Sequence, residues 1–73
     1  MKYYISSNEL QRVLEAETPR FAALTAIEHH GKLEGLHSQI VVGERGFESN
    51  KVRTKDTCVF DTVELYNEAL NEH

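Results

Sequence analysis

The chain's only proline, Pro19, stands directly behind Thr18, and this pair limits the fold more than any other local feature. Proline has no backbone N–H and breaks a helix interior, yet it suits the first helical position. A threonine just ahead of it can accept a hydrogen bond from a free N–H of the first turn. The spacing predicts a helix that begins at Pro19, turns Phe21, Leu24 and Ile27 inward, and ends before Gly31. A single helix running through Pro19 with a kink is the competing reading, so residues 7–30 hold either one bent helix or two.

Upstream, "KYYI" at 2–5 has the aromatic and aliphatic content of a short strand. Ser6 and Glu9 then stand at the spacing of a capping box, where each end of the motif satisfies a backbone donor of the other. Leu10, Val13 and Leu14 follow at i, i+3, i+4, one buried helix face, so a first helix is expected over this stretch.

The densely charged segment "GERGFESNKVRTKD" belongs to two extended-looking runs, "HSQIVVGERGFE" and "KVRTKDTCVFD", with "SN" between them. A two-residue turn at Ser49-Asn50 would oppose Glu48 to Lys51, Phe47 to Val52, Glu44 to Lys55 and Val41 to Cys58, with Ile40 near Val59. One face would then collect Val41, Phe47, Val52, Cys58 and Phe60, and the other would carry opposite-charge pairs worth about 0.2–1 kcal/mol each. That agreement predicts a long hairpin over 38–60, with Gly43 or Gly46 marking a bulge. The chain closes on "DTVELYNEAL", in which Asp61 and Glu64 repeat the capping spacing and Val63, Tyr66, Ala69 and Leu70 form an apolar stripe. The expected architecture is a single α+β domain over 1–73 in the order β-α-α-β-β-α, an antiparallel sheet with helices packed on one face.

Seventy-three residues with one cysteine exclude an internal disulfide scaffold and leave only a small core. No apolar run reaches the roughly 20 residues of a membrane span, and "MKYYISSNEL" has no signal-peptide core, so a cytoplasmic protein is expected. A net charge of −4 disfavours general affinity for nucleic acid or acidic membranes. A long hairpin leaves at least one open edge, and Tyr3, Tyr4 and the strand apolar residues need cover, which a symmetric homodimer would supply.

No residue pattern here matches a known catalytic or metal-binding spacing. His29, His30 and His37 lack the HxxxH and CxxC arrangements that hold zinc, and adjacent helix positions diverge by about 100°. Cys58, placed opposite Val41, reads as a small core residue rather than a nucleophile. "GKLEG" lacks the spacings of a phosphate-binding loop. No cofactor, metal or catalytic residue is expected.

Two charged sets remain. Asp61, Glu64, Glu68 and Glu72 recur at helical spacing and form an acidic stripe suited to a protein partner with a basic surface. Lys51, Arg53 and Lys55, with Arg45 nearby, would lie on one side of a strand and could follow a phosphate backbone. The ending "VFDTVELYNEAL" resembles the strand-then-helix ending of the three-stranded DNA-binding arms in the tyrosine-integrase and AP2 type families, but without their basic, aromatic reading strands. The expectation is therefore a non-enzymatic protein-binding module, with a nucleic-acid-binding accessory domain as the alternative. Small acidic domains of this sort are frequent among phage and mobile-element accessory proteins that modulate host complexes, an association of type rather than of residues.

Overall fold

A computed structural model describes residues 1–51 and 55–71. It contains strands β1 (Lys2–Ser7) and β2 (Leu10–Glu15), helix α1 (Pro19–His30), strand β3 (Gln39–Gly43), the short helix α2 (Phe47–Asn50), strand β4 (Thr57–Asp61) and helix α3 (Thr62–Asn71). The strands form one antiparallel sheet in the order β2-β1-β3-β4. The expected α+β class with a single antiparallel sheet is what the chain adopts.

The first expected helix is instead strand β2, which corrects the element order to β-β-α-β-α-β-α. Leu10 and Leu14 satisfy a period of two as well as they satisfy a helical period, and a helix this short is marginal without tertiary support. Asn8 makes the turn that leads into β2, with a left-handed φ of 54° that asparagine tolerates better than most side chains. Ser7 then pairs with Leu10, and the ladder runs back to Lys2 opposite Glu15. The capping box is not formed: Ser6 lies within β1, and the Glu9 N–H donates to the Gly35 carbonyl at 3.0 Å. Replacing Asn8 with Gly should leave stability within about 0.5 kcal/mol, whereas Asn8→Val should cost about 1–2 kcal/mol, read from urea unfolding.

Helix α1 begins as expected. Thr18 Oγ1 accepts from the Phe21 N–H at 3.1 Å, Pro19 opens the helix, and Gly31 closes it at φ 78° while donating to the Ile27 carbonyl. The kinked single helix is thereby ruled out. The buried residues are Ala22, Ala23, Leu24, Ala26 and Ile27, and the alanines let the helix lie close against the sheet. Phe21 faces away and is 60% exposed, contrary to its expected inward position. At 100° per residue it stands opposite the middle of the buried arc, which Ala23, Ala26 and Ile27 define.

Strands β3 and β4 do pair, but one residue out of the expected register. Val42 opposes Cys58, Val41 opposes Val59 and Ile40 opposes Phe60. No two-residue turn forms at Ser49-Asn50, because Phe47–Asn50 make the helical turn α2. The Glu48–Lys51 ion pair exists at 3.4 Å, but as an i,i+3 contact of this helical turn rather than across a hairpin. Arg45 pairs with Asp56 at 2.9 Å, while Glu44 and Lys55 lie exposed outside the strands. Val52 lies outside the described residues.

A slip of one residue exchanges the two faces of a strand. Ile40 and Val42 therefore point to the helix-bearing side, where they join Tyr3, Ile5, Leu10, the α1 residues, Leu65 and Ala69 in the core. Cys58 shares that side yet is exposed, which corrects its expected burial. The two longer helices pack on this face, whereas α2 lies on the other, with Phe47 edge-on to Tyr4 at 5.4 Å between ring centroids. Ser7, buried in the sheet, donates to the Gln39 carbonyl at 2.8 Å and accepts from the His37 N–H at 3.0 Å. These bonds anchor the start of β3 to the end of β1.

Candidate interaction surface

Helix α3 follows β4 without a loop, and Asp61 makes that junction by accepting the Glu64 N–H at 3.0 Å. Thr62 adds two anchors: its N–H donates to the Ser38 carbonyl at 3.0 Å and its hydroxyl to the His37 carbonyl at 2.7 Å. The helix buries Thr62, Leu65 and Ala69, with Tyr66 half-buried beside them. Val63 and Leu70, expected in the core stripe, are 53% and 57% exposed. They stand a heptad apart and so share one line along the helix, about 100° or more from the centre of the buried arc. The stripe was legible as apolar, but its neighbour at Leu65 took the core position.

The acidic residues have unequal freedom. Asp61 uses one carboxylate oxygen as the helix cap, and Glu68 forms an ion pair with Arg20 of α1. Arg20 and Glu68 are both partly solvent-exposed, so the pair contributes at most about 1 kcal/mol to stability. Glu64 is exposed and points about 100° round the helix from Val63. Glu72 lies outside the described residues.

The basic set is not a strand face. Arg45, Lys51 and Lys55 all lie on the 44–56 connection, and Arg45 and Lys51 already face carboxylates at 2.9 and 3.4 Å. Arg53 lies outside the described residues. The histidines are dispersed: His29 and His30 close α1, where His30 Nε2 is 2.8 Å from the Glu34 carbonyl oxygen, and His37 precedes β3. Among the described residues, no group of three or more His, Cys, Asp or Glu side chains comes together. Among them, too, no helix is long and apolar enough to cross a membrane.

A groove of about 510 Å³ lies on the outer sheet face between α2 and the β1–β2 turn, lined by Ser6, Gln11, Gln39, Val41, Asn50 and Lys51 among others. Asn50 forms its floor at one end. Its side-chain N–H groups donate to the Tyr4 carbonyl at 2.9 Å and to Ser6 Oγ at 3.0 Å. Its Oδ1 is buried without a hydrogen-bond partner and lies against Gly43, whose missing side chain makes the space. That arrangement docks α2 on the sheet.

The fold and this surface define a four-stranded antiparallel α+β domain with an exposed apolar line on its last helix. No family model, curated protein or solved structure matches the chain.

Proposed function

We propose that the protein is a non-enzymatic protein-binding module whose last helix docks into an apolar cleft with a basic rim on its partner. The observation that supports this reading is the line of Val63 and Leu70, both more than half exposed on a helix whose Thr62, Leu65 and Ala69 are locked into the core. Single exposed aliphatic residues are ordinary, but two on one helical line resemble the anchors of helix-in-groove recognition. Magnitudes separate the roles. Burying a Val or Leu side chain yields about 1.5–3 kcal/mol, whereas an exposed charge pair yields about 0.2–1 kcal/mol. Val63 and Leu70 would therefore carry affinity, and Glu64 would act chiefly on association rate.

Affinity purification from the native host supplies the partner, and direct titration then tests the surface. The double change Val63→Ala and Leu70→Ala is expected to weaken binding by about 2–3 kcal/mol, roughly a hundredfold in Kd, with the circular dichroism spectrum unchanged. Glu64→Gln should slow association and flatten its salt dependence. Full binding by the Val63/Leu70 variant would defeat the proposal. The nucleic-acid alternative makes the opposite forecast: retention on a DNA column at low salt, abolished by changing Lys51, Arg53 and Lys55 to Gln.

A further inference from the structure

We infer that β4 is a pairing edge for a second copy of this chain, giving a two-fold dimer with one continuous sheet centred on Val59. The inference is independent of the helix surface just described. Strands β2 and β4 form the two edges of the sheet, and they differ in how they resist further pairing. β2 carries Arg12 on the helix-bearing side, opposite Ile5, and ends at Glu15. An inward-pointing charge is a common block to edge-to-edge association. β4 has no charge between Thr57 and Phe60, and Cys58 and Val59 on it are exposed, Val59 to 39%.

Hydrogen-bond directions place the free groups. The Thr62 N–H donates to the Ser38 carbonyl, which makes Ser38 and Thr62 a hydrogen-bonded pair in the β3–β4 register. Such pairs alternate along an antiparallel ladder, so Phe60 and Cys58 bond inward to β3 and Val59 presents its N–H and C=O outward. Two neighbouring antiparallel copies of one strand are related by a two-fold axis perpendicular to the sheet. Opposed residues then share a face, and the axis passes through a residue opposed to itself. With the axis at Val59, each Val59 exchanges both backbone bonds with its counterpart, and the exposed side chains cover each other. Cys58 then opposes the second copy's Phe60, a sulfur–aromatic contact of favourable type. Thr57 opposes Asp61, and no like charges meet. The same operation on β2 sets Arg12 against Arg12, or Arg12 against Leu14, according to its centre. The match of β4 to itself is what selects a second copy as occupant.

The test is crosslinking in a Cys58→Ser background. Opposed hydrogen-bonded residues have Cα atoms about 5.5 Å apart, within disulfide range. Adding Val59→Cys should give a covalent dimer on mild oxidation at tens of micromolar, while Val13→Cys should stay monomeric. Sedimentation of the unmodified chain should show mass rising towards the dimer with concentration, and Val59→Lys should hold it at the monomer. Should Val59→Lys fail to fold, the crosslinking pair decides alone. A monomeric mass at several hundred micromolar, a dimer that survives Val59→Lys, or crosslinking through Val13 rather than Val59 would each overturn the inference.

Discussion

Truncating Ile5 to Ala is expected to cost about 3–4 kcal/mol, a loss in the upper part of the range for a buried aliphatic side chain. Ile5 is fully buried in a central strand, opposite Arg12 on one side and Val42 on the other, and belongs to the core that α1 and α3 cover. Its removal forfeits the transfer free energy of the lost groups and leaves a cavity that flanking strands cannot close. A domain of this length has a total stability of about 4–11 kcal/mol, so the change consumes a large share of it. Urea unfolding should show a much lower midpoint at an unchanged slope, with a Tm fall of more than about 10 °C. Val13→Ala, on the outer face of the edge strand, should stay within about 0.5 kcal/mol. Equal costs for the two truncations would show that the core has been misplaced.

Gly43→Ala should be the most damaging conservative change on the opposite face, at about 2–3 kcal/mol. A Cβ at this position would run into Asn50 Oδ1, whose side chain is held in place by its bonds to the Tyr4 carbonyl and Ser6 Oγ. Moving Asn50 aside breaks both bonds and loosens α2, and each lost neutral hydrogen bond costs about 0.5–1.5 kcal/mol. Asn50→Ala alone should cost less, about 1–2 kcal/mol, because it also removes a buried oxygen that has no partner. In the Asn50→Ala background Gly43→Ala should be almost neutral, since the obstacle is gone and alanine loses less backbone entropy than glycine. A double-mutant cycle should therefore return a coupling of about 2 kcal/mol. Additive costs would mean that Gly43 serves the strand by some other means than admitting Asn50.

Local chemistry was legible wherever one residue type has one conformational solution. Thr18 and Pro19 announced the start of α1, Gly31 its end, and Asp61 with Glu64 the cap of α3. The Leu10–Leu14 stretch was ambiguous because its apolar spacing fits both periods, and Asn8 is a weaker turn signal than an Asn-Gly pair. The charge pairs around Ser49-Asn50 misled because opposite charges at i,i+3 suit a helical turn as well as they suit a strand crossing. In α3, Leu65 and Val63 are comparably apolar, and only the contact with α1 and the sheet decided which of them is buried.

The amino-acid order alone thus determined the boundaries of α1, the capped start of α3, the α+β class and the lack of any familiar catalytic spacing. These depend on backbone donors and acceptors within a few residues of one another. Tertiary packing decided the strand at 10–15, the β3–β4 register and the exposure of Cys58, Phe21, Val63 and Leu70. Each of those outcomes compares the burial of one apolar side chain with that of a neighbour of similar hydrophobicity. That difference is set by which surface of another element comes within contact distance, and no local pattern encodes it.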